Sequence, residues 1–369
     1  MNDKIRQKNN KIDSLQMLRA LAVLLVIHVH CMHISTPVIG SSYQSNFFYF
    51  DVWGSIGVDI FFVISGFIMT IVTPAYYKEK GWKEFIIKRA IRIIPLYWAL
   101  SFAQVLLSLR HGEIAERESI IKTIFFFPTW SSSIFAYPIL GQGWTLSLEL
   151  FFYSLIALLL IFFKKNINHY LIIAIFTLTI IGFVINPLNS LSKFLTTPLL
   201  LEFCLGIIVG MIYKYVLTIY QESNKKVIRL GAIILFIVGL SLMITSIFTG
   251  YKAINYADIV GDNMHLALFR SLIWGVPCGM LVCSIVILER VYLITVPGIF
   301  IKIGDASYSG YLIHTWIIIY YLKFYKFTEL QNQDLFVLSC TVLCIVLSIP
   351  FYKYIEKPLI VKIMKLVNS

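Results

Sequence analysis

Long apolar runs recur along the whole chain, and only short polar stretches separate them. Each run is about 17–25 residues long, which is the length that an α-helix needs to cross the hydrocarbon core of a bilayer. The pattern therefore predicts ten membrane-spanning helices connected by loops. The predicted spans are 15–34, 53–73, 93–109, 145–163, 168–186, 198–218, 230–248, 270–288, 306–323 and 335–354.

Composition indicates the same class of protein. Hydrophobic residues make up 59% of the 369 residues and charged residues only 14%, and the mean hydropathy is +0.81. These values exclude an ordinary soluble domain. We predict an all-α, polytopic membrane protein in which 1–14 form a cytoplasmic N-terminal arm, 15–354 a single transmembrane domain and 355–369 a cytoplasmic C-terminal tail.

The chain carries 31 Lys and Arg against 19 Asp and Glu, a net charge of +12. In a membrane protein the position of these charges matters more than their sum. Most of the Lys and Arg fall on the side that holds the N-terminus, which places both termini in the cytoplasm by the positive-inside rule. We therefore expect membrane lipids around the chain and no nucleic-acid partner.

The six cysteines lie in or beside apolar spans, and none has the C-x-x-C spacing of a metal site. We interpret them as small packing residues. The sequence therefore predicts neither a redox centre nor a bound metal.

The first span, "SLQMLRALAVLLVIHVHCMHI", contains polar residues that hydrocarbon disfavours. Arg19 and His30 are eleven residues apart, so they share one helix face at depths that differ by about 16 Å. We expect both to face a protein interior; the alternative is a snorkelling arginine with an interfacial histidine. His28 and His33 are interpreted as interfacial.

Three carboxylates, Asp59, Glu149 and Glu202, lie about five or six residues inside the outer ends of their predicted spans, near the depth of His30. We expect these groups to line a polar cavity open to the outside, because isolated carboxylates are expensive in lipid. At this depth Asp59 would orient His30 as the acid does in hydrolase triads. The alternative for Asp59 is a structural ion pair.

The segment "FIIKRAIRIIPLYW" places Arg89 and Arg92 one above the other on a helix, just before Pro95 at the entry to the third span. With Arg19 they form a basic cluster at the cytoplasmic face. Guanidinium groups hold phosphate bidentately, so the cluster fits a phosphorylated ligand. The alternative is a cytoplasmic helix end that contacts anionic lipid.

Near the C-terminus, "GDASYSGYLIHTW" precedes and enters the ninth span. Its polar residues are expected to line the polar cavity, although both tyrosines would also fit an aromatic belt. These residues are Ser307, Tyr308, Tyr311 and His314. The long outer segment 110–144 is either a lid over the site or a passive loop.

An anionic-ligand cluster on one side and a histidine cavity on the other suit a transporter, or an enzyme that takes one substrate from each side of the membrane. Seven motifs favour the enzyme, because together and in this order they resemble the bacterial type-three membrane acyltransferases, closest to members acting on exopolysaccharide and O-antigen. The motifs are "LRALAVLLVIHVH", "GVDIFFVISGF", "KRAIRIIPLYW", "GWTLSLELFFY", "LLLEFCLG", "GDASYSGYLIH" and "EKP".

The resemblance implies a stand-alone O-acyltransferase of the bacterial cytoplasmic membrane. Its expected substrates are acyl-CoA, most simply acetyl-CoA, and a sugar hydroxyl of a surface polysaccharide or an undecaprenyl-linked glycan, with no bound cofactor. By family position His30 is the catalytic base and Arg19, Arg89 and Arg92 contact the donor. We add Asp59 and Glu149 to the predicted catalytic set. The alternatives are a covalent relay through His30 or a Ser or Tyr, and a transporter or flippase for a glycolipid or organic anion.

Overall fold

The structure is a computed structural model that describes residues 12–112, 114–127, 137–221, 223–248, 263–291, 294–328 and 332–368. In those ranges all regular secondary structure is helical, which confirms the predicted class. The first half contains α1 (Asp13–Ile39), α2 (Tyr43–Phe48), α3 (Phe50–Trp53), α4 (Ile56–Val72), α5 (Gly81–Arg110), α6 (Arg117–Phe125), α7 (Trp144–Phe162) and α8 (Ile167–Ile185). The second half contains α9 (Ser190–Leu195), α10 (Leu200–Ile219), α11 (Lys225–Phe248), α12 (Met264–Arg270), α13 (Val276–Arg290), α14 (Gly298–Asp305), α15 (Ser307–Lys326), α16 (Gln333–Phe351) and α17 (Lys357–Asn368).

Within these ranges nine helical segments are long and apolar enough to cross a membrane, compared with the ten that the pattern predicts. The difference lies at the predicted span 306–323. This region forms the 20-residue helix α15, but α15 is not one of the nine because its first half is rich in Ser, Tyr, Gly and His. It packs against α1 and α16 inside the helical assembly.

The predicted start of the third span, residue 93, is wrong. Helix α5 starts at Gly81 and runs for 30 residues through Pro95. Arg89 and Arg92 therefore lie on the same helix as the apolar part of the span. At the C-terminus, a π-helical turn at Tyr352–Glu356 joins α16 to α17, so the predicted tail is helical.

The eighth span also begins earlier than predicted. Asn263 caps α12 by accepting hydrogen bonds from the backbone N–H groups of His265 and Leu266. A π-helical turn at Ser271–Gly275 then joins α12 to α13. Arg270, which the sequence placed at the edge of the span, consequently lies inside it and is buried.

Helices α4 and α10 touch through their backbones. A Cβ atom added to Gly66 would collide with the carbonyl oxygen of Phe203, and one added to Gly206 would collide with that of Val63. Small residues at such crossings let membrane helices approach closely. Helix α1 lies beside this pair, where it contacts α4 on one side and α14, α15 and α16 on the others.

Segment 110–144 contains the helix α6, but 113 and 128–136 lie outside the described residues. The lid and the passive-loop interpretations both remain predictions. All six cysteines are buried and form no disulfide, as expected for packing residues. They are Cys31, Cys204, Cys278, Cys283, Cys340 and Cys344.

Candidate active site

Two cavities open along the length of α1. Arg19 lines the first, which we call the arginine cavity, and His30 lines the second, which we call the histidine cavity. The two residues are separated by about 16 Å along the helix. Because each of them lines a cavity, both predicted interior positions are confirmed. The arginine cavity is narrow, about 80 Å³, whereas the histidine cavity is about 410 Å³.

Three arginines face the arginine cavity. Arg19 comes from α1, and Arg89 and Arg92 come from α5. None of their guanidinium groups forms a hydrogen bond or ion pair with another residue in the described ranges, and the Nε atom of Arg89 is buried without a partner. Because buried charges are normally paired, three unpaired guanidinium groups around one cavity indicate an anionic ligand.

Glu149 lines the arginine cavity rather than the histidine cavity, so its predicted place beside His30 is wrong. The hydroxyl groups of Ser65 and Tyr153 both donate to its Oε1 atom, at 2.9 Å and 2.5 Å. The position of Glu149 in the sequence indicates its depth in the membrane. The packing of α7 decides its direction, which is towards α4. Glu149 therefore balances part of the arginine charge.

Ser307 and Tyr308 line the arginine cavity and not the histidine cavity, so their predicted place in the outer polar cavity is wrong, whereas Tyr311 borders both cavities. The Tyr308 hydroxyl donates to the carbonyl oxygen of Ile93 at 2.7 Å. The Ser307 hydroxyl is buried, and no described residue hydrogen-bonds to it. An unpaired hydroxyl beside unpaired guanidinium groups is a second indication that a polar ligand completes this cavity.

His30 forms a pair with His314, the fourth of the polar residues predicted near the C-terminus. The Nδ1 atom of His30 lies 2.6 Å from Nε2 of His314, and the two rings are stacked. The Nδ1 atom of His314 lies 3.2 Å from the carbonyl oxygen of Gly310, which can only accept. In a neutral pair His314 therefore donates to Gly310, and His30 donates to His314. This tautomer leaves the lone pair of His30 on Nε2.

Asp59 does not orient His30, so that prediction is wrong and the structural alternative is correct. Its two carboxylate oxygens accept hydrogen bonds from the Nε and Nη2 atoms of Arg270, at 3.0 Å and 2.7 Å. The exposed fraction of the side chain is 0% for Asp59 and 2% for Arg270. The guanidinium also lies over the ring of Trp274, 5.0 Å from its centroid. In this bidentate, desolvated pair both carboxylate oxygens of Asp59 are bonded to Arg270, so Asp59 does not also orient His30.

Glu202 is fully buried and lines neither cavity, contrary to the prediction. Its Oε1 atom accepts a hydrogen bond from the Ser271 hydroxyl at 3.3 Å. Glu202 belongs to the surroundings of Arg270, where the π-helical turn after α12 packs against α10. The four groups expected in one outer cavity are therefore divided among three places.

Tyr311 and Val58 line both cavities and form the wall between them. The Tyr311 hydroxyl donates to the carbonyl oxygen of Gln142 at 3.0 Å and lies 2.8 Å from Oγ1 of Thr145. Its ring packs against Phe61. A single aromatic side chain, held by two hydrogen bonds, consequently separates the arginine cavity from His30.

Several polar and aromatic residues of the histidine cavity were not predicted from the sequence, among them Gln142, Arg270 and Trp316. Arg270 carried a usable signal, since the apolar run extends upstream to Met264 and encloses the charge. The other two carried none, because amides and indoles are common at membrane interfaces.

The interfacial position predicted for the other two histidines of α1 remains a prediction. His28 contacts Gln44 and Thr341, at 2.8 Å and 3.3 Å. His33 is exposed at the rim of the histidine cavity, where its Nε2 atom lies 3.0 Å from the carbonyl oxygen of Asp51. Neither contacts His30 through a hydrogen bond.

Comparison with known proteins identifies the family. Residues 12–353 match the family described as an acyltransferase domain. The exopolysaccharide production protein ExoZ of Rhizobium meliloti is 33% identical over 273 residues, which cover 72% of this chain and 77% of ExoZ. The O-acetyltransferase OatA of Staphylococcus aureus is 26% identical over 387 aligned positions, which cover 94% of this chain and 57% of OatA.

The chain thus spans little more than half the length of the staphylococcal relative. No solved structure matches it. The family match extends over nearly the whole chain and includes both cavities. The chain therefore belongs to the membrane acyltransferase family that its motifs predicted, and it is an O-acyltransferase.

Proposed function

We propose that this enzyme moves an acyl group from acyl-CoA in the arginine cavity to a sugar hydroxyl in the histidine cavity. The observation that supports this best is the arrangement along α1: unpaired guanidinium groups at one end, an oriented imidazole at the other, and one shared wall between them. The names of the two relatives favour acetyl as the acyl group and a surface polysaccharide, or its lipid-linked precursor, as the acceptor.

The arginine cavity suits the donor. Coenzyme A carries several phosphate charges, and the guanidinium groups of Arg19, Arg89 and Arg92 form no hydrogen bond or ion pair in the described ranges. The guanidinium of Arg89 lies over the rings of Phe85 and Tyr153. Planar guanidinium groups hold phosphate oxygens bidentately. The small volume of the cavity, which extends to Tyr311, fits an extended pantetheine arm better than a nucleotide. In this proposal the thioester reaches His30 when the Tyr311 ring turns out of the shared wall.

The histidine pair suits the base. His314 and the Gly310 carbonyl fix the ring of His30, so that Nε2 is the nitrogen left to act. As the sugar oxygen attacks the thioester carbonyl carbon, its proton passes to Nε2 of His30. A carbon–oxygen bond forms, the carbon–sulfur bond breaks, and the departing thiolate takes the proton back from the imidazolium.

The proposed orientation follows from charge. The excess of Lys and Arg on the side of the N-terminus supports a cytoplasmic arginine cavity, where acyl-CoA is made. The histidine cavity then faces the outside, where surface glycans are assembled. In a bacterial cytoplasmic membrane the inner face meets acyl-CoA and the outer face meets surface glycans. This arrangement allows transfer across the membrane without movement of either whole substrate.

The proposal is tested with purified enzyme in lipid nanodiscs, acetyl-CoA, and the host bacterium's own surface polysaccharide after alkaline removal of its O-acyl groups. Mass spectrometry measures acetyl groups transferred. His30→Ala should abolish transfer, whereas His28→Ala, two residues away on the same helix, should leave it within about twofold because His28 lines neither cavity. Equal transfer by the His30→Ala and parent enzymes would refute the proposed base.

The donor site is tested in the same assay. Arg89→Gln and Arg92→Gln should each raise the KM for acetyl-CoA by about tenfold, the factor expected from about 1.4 kcal/mol of a charged hydrogen bond. Arg229→Gln is the matched control, because Arg229 donates to the carbonyl oxygen of Val291 away from both cavities. In closed vesicles that contain the enzyme, glycan movement without acetyl consumption would instead favour the transporter. Labelled enzyme after incubation with radioactive acetyl-CoA alone would favour a covalent relay.

A further inference from the structure

Aromatic side chains other than Tyr311 also line the histidine cavity. Trp316 of α15 and Trp144 of α7 both line it, together with Gln104 of α5. The indole N–H of Trp316 donates to the Oε1 atom of Gln104 at 2.5 Å, which fixes the ring plane between two helices. An aromatic surface in a cavity that also contains His30 needs an explanation beyond membrane anchoring.

Trp98 serves as the comparison for Trp316, because it has the features of a membrane-anchoring tryptophan. It lies on α5, the helix of Gln104, and 45% of its side chain is exposed. Its N–H donates to the carbonyl oxygen of Thr123, and it lines neither cavity. Trp316 differs from Trp98 because it lines the histidine cavity. It also borders an apolar groove that includes Leu347.

The polar side chains of the same cavity are mostly uncharged, and the charge of Arg270 is balanced. Gln104, Gln142 and Thr315 provide amide and hydroxyl groups, and no Asp or Glu is found among its described lining residues. The guanidinium of Arg270 is neutralised by its ion pair with Asp59. Pockets that bind small polar molecules combine an apolar or aromatic surface with a few placed polar groups.

A sugar ring matches this combination. A pyranose presents C–H groups on its faces, which pack against aromatic rings, and hydroxyl groups around its edge, which need amides and hydroxyls. A cavity of about 410 Å³ has room for such a ring. The lack of carboxylates on the described lining disfavours a protonated amino sugar, since nothing on that lining would balance its charge.

We infer that Trp316, held in place by Gln104, is the platform on which a neutral pyranose of the acceptor glycan stacks while its hydroxyl reaches His30. This inference rests on the proposed function and names the acceptor site within it. Trp316 acts in binding and not in proton transfer. Its replacement should therefore change the KM for glycan and leave the donor side unaltered.

The experiment compares Trp316→Ala, Gln104→Ala and Gln104→Glu with the control Trp98→Phe in nanodiscs. With the de-O-acylated polysaccharide as acceptor, Trp316→Ala should raise the glycan KM by about tenfold, and Gln104→Ala by about threefold. Gln104→Glu keeps an oxygen that accepts the indole N–H, so its glycan KM should rise less than that of Gln104→Ala. The KM for acetyl-CoA should remain within about twofold in every variant.

A binding measurement without donor separates this inference from the proposed function. Addition of the same polysaccharide should change the tryptophan fluorescence of the parent and of Trp98→Phe. The change should be smaller in Trp316→Phe, in which Trp144 is the remaining indole of the described lining. Fragments that contain only neutral sugars should compete, and fragments with free amino groups should not. An unchanged glycan KM in Trp316→Ala, or an unchanged fluorescence response in Trp316→Phe, would overturn the platform. Absence of transfer by the parent, with glycan binding intact, would overturn the proposed function alone.

Discussion

Replacement of Asp59 by asparagine tests whether this carboxylate is structural or catalytic. The change keeps the size of the side chain but removes the negative charge that faces Arg270. Both side chains are buried, with 0% and 2% exposed. The guanidinium of Arg270 would then be a buried cation that has lost its bidentate carboxylate.

Loss of one partner from a buried ion pair lowers the free energy of unfolding by about 3–5 kcal/mol. Asparagine still offers one oxygen to Arg270, and a retained hydrogen bond contributes about 1 kcal/mol. We therefore expect the lower end of that range for Asp59→Asn. Simultaneous replacement, Asp59→Leu with Arg270→Met, removes both charges and should recover most of the lost stability.

The assay is thermal unfolding of the purified enzyme in detergent, combined with acetyl transfer per folded molecule. Asp59→Asn should lower the melting temperature on the order of 5–10 °C. The control is Glu84→Gln, which removes an acid that bridges Lys78 and Lys88 on the surface. Exposed pairs of that kind contribute about 0–1 kcal/mol, so its melting temperature should hardly change.

The outcomes separate the two roles of Asp59 cleanly. A destabilised Asp59→Asn enzyme that still transfers acetyl groups per folded molecule agrees with the structural role. An enzyme of parental stability that transfers none would show that Asp59 takes part in the reaction, and the argument from its ion pair with Arg270 would be refuted.

Three further predictions concern the site and its frame. His314→Ala removes the partner of His30 and should lower kcat by about 10–100-fold, the range found for groups that orient a functional imidazole, with the KM for acetyl-CoA unchanged. Tyr311→Ala opens the shared wall, so acetyl-CoA hydrolysis without glycan should rise; thiol release measures it, and no rise would contradict the wall. Gly206→Leu forces α4 and α10 apart and should cost at least about 1–3 kcal/mol in thermal unfolding, whereas Gly231→Leu, where nothing lies within 4 Å, should not.

The sequence predicted what depends on local geometry. Helical periodicity alone placed Arg19 and His30 on one face at two depths, and the structure confirms an interior on that face. The Arg-x-x-Arg spacing likewise brought Arg89 and Arg92 to one cavity. These conclusions hold because the rise and rotation of an α-helix are fixed by its backbone hydrogen bonds.

The partners of the buried carboxylates could not be predicted in this way. Counting from a span end gives the depth of a residue but not the neighbour that its face meets. Asp59 meets Arg270 only because α12 begins upstream of the predicted span and a π-helical turn follows it. Glu149 meets Ser65 because of how α7 packs beside α4. Such choices depend on tertiary packing, which residue spacing does not contain.

Helices α1 and α15 each supply side chains to both ends of the site. The first carries Arg19 and His30, and the second carries Ser307 at one end and Trp316 at the other. A continuous helix moves as one body, so a donor whose phosphates draw the guanidinium end inward would also shift the imidazole and indole end. Affinity for one substrate should therefore depend on occupancy by the other, and by thermodynamic linkage the dependence must be equal in both directions. In the proposed function, donor and acceptor would in this way be coupled through the tilt of two helices.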